Sequence, residues 1–355
     1  FGVPEDHSFR RSNAFEIVGQ ECRNVRENVG IADLTAFTKL EVIGKDASSL
    51  LDRLSANKLP SNDGGIRLTH MLTPLGGIEC EMTITKLSSE RFYLNSSIMG
   101  ELHDLDWLNQ HVAEDEDVSI RDVTDEIAIL AISGPLARDL LQPLTSADLS
   151  NDFFPWLTGQ EIEIADVPCI ALRVSYVGEL GWELHHPIDQ MLNLYEALID
   201  SGSAFDLTHY GSYAMNSMRI EKAYKAWGSE LTTEITPIEA RLERFVDLSR
   251  NFVGSDVVRE KKSEKLEMVL VYCEVETNDT DCRGNEPIYV GNDLVGLTTS
   301  GTWSHTTDKS IAFAYVSPEL ESSGSVFEIE IMNQRCRATV IKDAVVDPVN
   351  KKIRK

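Results

Sequence analysis

Three short stretches of this sequence hold residue types that could do chemistry. The first is residues 73–85 (TPLGGIECEMTIT), where Gly76 and Gly77 permit a tight turn and a close backbone approach to a ligand. A strand after that turn puts Glu79 and Glu81 on one face, because strand side chains alternate. Paired carboxylates in a concave site raise one another's pKa and suit proton transfer near neutrality; two exposed acids on a strand edge are the plainer reading. The second stretch is residues 175–186 (SYVGELGWELHH), with Tyr176, the acids Glu179 and Glu183, two glycines and Trp182. A carboxylate there can accept a pair of N–H bonds from a fused heterocycle, and Tyr176 can stack or hydrogen-bond beside it. By itself the segment is an ordinary hairpin tip, with His185 and His186 as strand-end surface residues rather than ligands. The third is residues 211–231 (GSYAMNSMRIEKAYKAWGSEL), where Met215 and Arg219 lie four apart on one helical face, next to Lys222. Core packing plus a structural ion pair is the plainer account of such a face.

Several familiar signatures are missing. There is no GxGxxG after a strand and no GxxxxGK[ST], so neither a Rossmann flavin site nor a phosphate loop is supported. No GxSxG elbow occurs. The cysteines, Cys22, Cys80, Cys169, Cys273, Cys282 and Cys336, form no CxxC pair, and no histidine lies at zinc-finger distance from two of them. No metal site is therefore expected, and scattered single thiols point to a reduced, cytoplasmic protein.

The elements that must carry these residues can be read from periodicity. Residues 15–29 read as a helix and 37–42 as a half-buried strand. A helix follows from Asp46, its expected cap, with Leu50, Leu51 and Leu54 inward. Two strands flank the Gly76–Gly77 turn within residues 67–85, and 91–95 is another. The apolar strand 127–132 breaks at Gly134 and Pro135, and a helix restarts over 136–141. Residues 169–174 and 182–186 form a hairpin, 190–200 an amphipathic helix, and 211–227 a second helical segment. Residues 251–265 are polar and charged and read as a linker. Beyond them lie short strands at 268–275, 286–290, 294–299, 310–316, 326–331 and 335–341, the spacing of a small antiparallel barrel or sandwich.

At 355 residues the chain is too long for one compact core, so two or three domains are expected. Net charge of −25 opposes nucleic acid as a partner, since a polyanion meets like charge over most of the surface. No apolar run approaches 18 residues, which argues against a membrane span. Residues 1–11 are polar and lack a signal-peptide pattern.

Taken in order, eight short stretches make the chain resemble the T-protein (aminomethyltransferase) family of folate-dependent enzymes over nearly its whole length. They are residues 30–34 (GIADL), 42–46 (VIGKD), 76–78 (GGI), 133–138 (SGPLAR), 176–183 (YVGELGWE), 218–221 (MRIE), 252–254 (FVG) and 299–301 (TSG). Details at Lys39 and Leu40, residues 71–74 and 219–222 (RIEK) are closer to the tetrahydrofolate-binding C-terminal module of dimethylglycine and sarcosine dehydrogenases. The resemblance implies an α+β, three-domain ring-like fold. Residues 1–262 would be a folate-binding region of two interleaved subdomains, and 263–355 a C-terminal antiparallel β-barrel. With no flavin half ahead of it, the module is expected to stand free, with a separate flavoprotein or an oligomer as partner.

Carried over position by position, the resemblance makes Glu183 the pterin-binding glutamate and Tyr176 its companion tyrosine. Glu81 falls on the aspartate beside folate N5 and is the expected catalytic residue. Met71 joins the cofactor contacts, Met215 stands where the family has a folate-contacting arginine, and Ser97 where it has an asparagine. Losing an arginine and an amide removes hydrogen bonds of about 1–3 kcal/mol each where charged groups take part. The implied activity is transfer of a methyl or methylene group from a small methylated amine or sulfonium compound to tetrahydrofolate. An onium donor favours carboxylates and aromatic faces, which makes Trp182, Tyr224 and Trp227 the candidate substrate contacts. Two alternatives stand beside this reading. One is the glycine-cleavage aminomethyltransferase, whose acidic lipoyl carrier protein would meet like charge here. The other is a folate-binding regulatory protein or subunit without transfer activity, whose KGCYxGQE-like motif is replaced by residues 250–256 (RNFVGSD).

Overall fold

The computed structural model of the chain describes residues 5–355, so the first four of the polar N-terminal residues lie outside the described residues. Helix α1 (Phe15–Glu27) buries Val18, Cys22 and Val25 at helical spacing, and β1 (Gly30–Asp33) follows it. The chain then leaves β1 to build a separate sheet. Its elements are β2 (Thr38–Ile43), α2 (Ala47–Leu54), β3 (Ile66–Leu72), β4 (Ile78–Ser88), β5 (Arg91–Ser96), α3 (Glu101–Gln110) and β6 (Ser119–Asp122). The strands pair antiparallel in the order β3-β4-β5-β2-β6, and Leu50, Leu51 and Leu54 of α2 pack on Leu40, Val42, Met82 and Phe92.

The chain returns to β1 with β7 (Ile127–Ser133), α4 (Ala137–Leu141), β8 (Gly159–Ile164), β9 (Val167–Leu172), β10 (Gly181–Pro187), α5 (Met191–Gly202), β11 (Thr208–His209) and α6 (Ser212–Glu221). This sheet runs β11-β1-β7-β10-β9-β8, and only the β1–β11 pair is parallel. After α7 (Ser255–Ser263) come β12 (Val269–Val275), β13 (Pro287–Val290), β14 (Asp293–Ser304), β15 (Lys309–Val316), β16 (Val326–Ile331) and β17 (Gln334–Ile341). They close into a barrel, β12-β15-β14-β13-β16-β17. Alternation fills its interior: Phe327, Ile329 and Ile331 point in from β16, while Val326 and Glu328 are exposed. The fold is thus α+β with a closed C-terminal barrel. Among the described residues no helix is long and apolar enough to cross a membrane.

Several local expectations fail for identifiable reasons. Asp46 does not cap α2 with its side chain; its carboxylate accepts the Asp117 N–H at 2.9 Å instead. The helix expected over 211–227 ends at Glu221. The Arg219 guanidinium takes the Tyr224 carbonyl at 3.0 Å, and Glu230 takes the Ala226 N–H at 2.9 Å, groups that a continuing helix would have used. The expected linker contains α7, anchored by Val258, which is fully buried. Helix α3 escapes sequence reading because only Asp104 and Leu108 of it are buried. Finally, a bulge interrupts β4: Leu72 pairs with Ile78 and Met71 with Cys80, leaving Glu79 as the extra residue. Simple alternation breaks there, so Glu79 and Glu81 part company.

Candidate functional site

Strand β10 presents its residues to two environments. Trp182 points into the core, 1% exposed, edge-on to Phe154 and near the Arg138 and Arg173 guanidinium groups. Glu183 and His185 share the opposite face, their side chains 3.4 Å apart. The Tyr93 hydroxyl from β5 lies 3.0 Å from His185 Nδ1, so the imidazole links a phenol of one sheet to a carboxylate of the other. Burial lowers the His185 pKa, and Glu183 opposes that effect. Burial likewise pushes the Tyr93 phenol far above its ordinary range. His185 and His186 are each 1% exposed, which corrects their reading as surface residues; both are interior because β10 is a central strand.

Two residues along β5 from Tyr93, on the same face, is Asn95. Its amide oxygen and nitrogen are both shielded from solvent and have no close hydrogen-bond partner, the Tyr93 phenol being the polar group beside them. Buried amides are normally paired, so this group stands out. Ser97 follows at the end of β5, half-buried, with its hydroxyl accepting the Met99 N–H at 3.3 Å.

Glu81 lies on β4 opposite His70 of β3, and the fully buried His70 ring holds its carboxylate at 3.2 Å. Tyr176 comes near it from the turn before β10. Tyr176 is 36% exposed, and its hydroxyl donates to the Lys225 carbonyl at 3.4 Å. Burial raises its pKa; Arg219 opposes the rise, and Glu81 and Glu230 add to it. The Tyr224 ring stacks on Tyr176 with centroids 6.3 Å apart. At the turn tip Gly178 has φ +79°, and a Cβ there would lie 2.4 Å from the Lys222 side chain, so glycine is required on both counts. The Lys225 ammonium is pushed down to about 8 by burial and by Arg244, against the pull of Glu230 and Glu81.

Beneath this cluster runs a buried ionic frame. Arg219 pairs with Glu230 at 2.8 Å, and Glu230 also accepts the Thr299 and Ser300 hydroxyls of β14 at 2.8 and 2.5 Å. Glu179 is taken by Arg26 at 3.0 Å and Lys352 at 2.9 Å, so this acid of the hairpin is a structural anchor. The cluster therefore sits where the two sheets and the barrel converge.

The structure brings Tyr176, Tyr224 and Glu81 together, and joins Glu183 to Tyr93, His185 and the Asn95 face. The other candidates lie elsewhere. Met71 is fully buried in the core of the five-stranded sheet. Met215 packs on a cluster containing Val177 and Tyr210. Trp182 belongs to the core described above, because neighbouring strand residues face opposite ways. Trp227 lies against His103 of α3, ring centroids 5.4 Å apart. The close approach expected at Gly76 and Gly77 is to the chain itself: a Cβ on Gly77 would fall 1.8 Å from the Thr233 carbonyl oxygen. Two surface cavities, of about 710 and 500 Å³, are lined by α3 residues and by a group around Asp33, Ile98 and Asp125; neither is lined by Tyr176 or Glu183. Sequence reasoning missed His70, Tyr93, Asn95, His185 and Lys225. Only Asn95 carried a usable signal, a lone amide closing the apolar run FYL.

With this geometry in view, comparison with known proteins is informative. Residues 2–250 match the GCVT N-terminal domain, and residues 269–347 match the glycine cleavage T-protein C-terminal barrel domain. The mouse (Mus musculus) mitochondrial dimethylglycine dehydrogenase is 41% identical over 353 residues, which is 98% of this chain but 40% of that protein. The chain thus spans well under half the length of these relatives. An aminomethyltransferase of Thermoanaerobacter sp. (strain X514) is 32% identical over 329 residues, 92% of this chain and 89% of that protein. The crystal structure of glycine cleavage system aminomethyltransferase T from Bartonella henselae superposes with a TM-score of 0.85 at 21% identity, covering 98% of this chain and 95% of that one, and so shares the fold.

Proposed function

This chain belongs to the glycine cleavage T-protein family, and on that premise we propose that it binds tetrahydrofolate and transfers to it a methyl or methylene group from a small methylated amine or sulfonium compound. The Asn95 amide carries the reading. Both its polar atoms are shielded and unpaired, a state that costs about 1–3 kcal/mol. A ligand edge bearing both donors and acceptors, as a pterin does, would remove that cost. Glu183, engaged by His185 at 3.4 Å, keeps acceptor capacity for the N–H groups of the same edge. The donor set therefore fits the folate ring.

When bound, tetrahydrofolate supplies a nucleophilic ring nitrogen that accepts the one-carbon unit. In this reading Glu183, Asn95 and Tyr176 bind and orient the pterin, with Ser97 as a further contact, while Met215 stays packed on the cluster of Val177 and Tyr210. Glu81, steadied by His70, holds the proton of the reacting nitrogen or stabilises a cationic donor. Tyr224, stacked on Tyr176, offers an aromatic face to an onium group, with Trp227 further out. Met71 and Trp182 are left out because core packing occupies them. Alignment of the two reactants supplies much of the acceleration. We also propose the division into residues 1–262 and 263–355. The six unpaired cysteines fit a reducing compartment, and cell fractionation decides between the cytoplasm and the mitochondrion named for the dehydrogenase relatives.

The test is protection against unfolding. Tetrahydrofolate at ~100 times its dissociation constant should stabilise the chain by roughly 2.7 kcal/mol, and Glu183→Ala should lose that protection. No shift at millimolar folate sinks the reading. Dimethylglycine, sarcosine, glycine betaine and dimethylsulfoniopropionate, screened for methylated folate, would then separate donors. The second reading is a glycine-cleavage aminomethyltransferase, favoured by the 89% of the Thermoanaerobacter protein that the match covers. Net charge of −25 speaks against it, because an acidic carrier would be repelled at encounter. Turnover only with lipoyl carrier protein would establish it. Folate binding without turnover on any donor would leave a binding subunit, with a flavoprotein as the partner to seek.

A further inference from the structure

Beyond the residues assigned to the folate ring, a second cluster of reactive side chains lies on the other side of β4. Among the described residues, Cys80, His103 and Asp104 bring a thiol sulfur, an imidazole nitrogen and a carboxylate oxygen within 4.8 Å of one another. Cys80 and Asp104 are buried at 1% and 2% exposure, so the thiol faces the Asp104 carboxylate away from solvent. His103 is held from both ends, with Nδ1 2.9 Å from Asp104 and Nε2 2.8 Å from Glu79. Trp227 covers one side of the ring, and the cavity of about 710 Å³ opens on His103 and Glu79. The β4 bulge makes the arrangement: the extra residue Glu79 turns toward α3 instead of pairing with Glu81 on the far face.

We propose that Cys80, His103 and Asp104 form a binding site for a divalent metal ion of the zinc type. Cysteine sulfur, histidine nitrogen and aspartate oxygen are the donors zinc takes, and three protein ligands with one open position make a complete tetrahedral set. Of the three donors only His103 lines the cavity, so an ion would enter along the imidazole. Donors around a tetrahedral zinc lie about 3.5 Å apart. His103, with 36% of its side chain exposed, is the member free to close the remaining distance. Glu79 accepts from Nε2 and leaves Nδ1 for the ion, the carboxylate–histidine–metal arrangement that orients an imidazole ligand. Binding breaks the Nδ1–Asp104 hydrogen bond, releases the Cys80 thiol proton and, from a protonated ring, the Nδ1 proton to solvent, and leaves thiolate and imidazole lone pairs on the metal. No oxidant or further reactant is needed. Sequence spacing gave no hint of this, because Cys80 lies on a strand and the other two donors on a helix that returns to it.

Cobalt(II) chloride added to the chelator-treated full chain is the direct probe. A near-ultraviolet thiolate-to-cobalt charge-transfer band should rise to one equivalent, disappear on adding zinc, and be absent in Cys80→Ser. His103→Gln should weaken cobalt affinity at least tenfold, and Glu79→Gln by about 10–100-fold, the usual cost of losing an outer partner. Circular dichroism and tetrahydrofolate protection should stay at wild-type values in His103→Gln, which separates this site from the folate pocket. Absence of the band in wild type, or a band that survives Cys80→Ser, overturns the proposal. Should Cys80→Ser fail to fold, unchanged cobalt affinity in the one-third-exposed His103→Gln overturns it equally.

Discussion

His185 and His103 each stand between a carboxylate and a second partner, yet the two histidines respond to their surroundings in opposite directions. His185 is wholly interior, with the neutral Tyr93 phenol on one nitrogen and Glu183 on the other, and burial lowers its pKa. His103 is one-third exposed between Asp104 and Glu79; burial works against its charge, but the two carboxylates prevail and its pKa rises. One anion in a dry site does not offset burial and the ring holds its proton less tightly, whereas two anions near water make it hold its proton more tightly. The regions differ again in what they leave unmet. Beside Tyr93 the Asn95 amide has no close partner, while both imidazole nitrogens of His103 are engaged. An unmet group marks where a ligand is still expected.

The largest test of this contrast is Asn95→Val. Removing an unpaired buried amide should raise the stability of the ligand-free protein by about 1–3 kcal/mol while abolishing tetrahydrofolate protection, read by denaturant unfolding with and without folate. A destabilised variant that keeps its protection would break the comparison. Next, Tyr93→Phe strands His185 Nδ1 in the interior and should destabilise by about 1–3 kcal/mol, whereas Glu79→Gln at the wetter His103 should cost no more than about 1 kcal/mol. Equal losses in the two variants would remove the distinction between dry and wet networks. The smallest effect is the pH dependence. The folded pKa of His185 lies below the ordinary 6.5, so the unfolded chain binds more protons as pH falls beneath that value. The stability this group contributes is present above pH 6.5 and is lost as pH falls through the window between 6.5 and the folded pKa. Urea midpoints across that window should fall more steeply for wild type than for His185→Gln.

Much of this was legible in advance where one residue pattern implied one environment. The barrel strands alternate cleanly, so their inward positions could be read directly, and the hairpin ending in Trp182 and Glu183 paired as its apolar run suggested. Helix α3 could not be read, because a surface helix that buries two residues has no apolar stripe. The early end of α6 was equally hidden, since it depends on Arg219 and Glu230 seizing backbone groups from a later segment. The Glu79 and Glu81 pairing failed for a related reason: a one-residue bulge is invisible in a pattern of period two.

What the sequence by itself determined was the family, the α+β class with its C-terminal barrel, and the strand positions of Glu81 and Glu183. Those follow from local periodicity and from short motifs. Tertiary structure alone decided which partner each acid would meet. Glu183 owes its hold to a histidine that a tyrosine 92 residues away fixes in place, and Glu79 faces a helix instead of its neighbour. Periodicity says which side of an element a residue faces, but the opposing element is chosen by packing between segments far apart in the chain. Protonation and affinity are set there, because burial and the nearest charge act through space and not along the backbone.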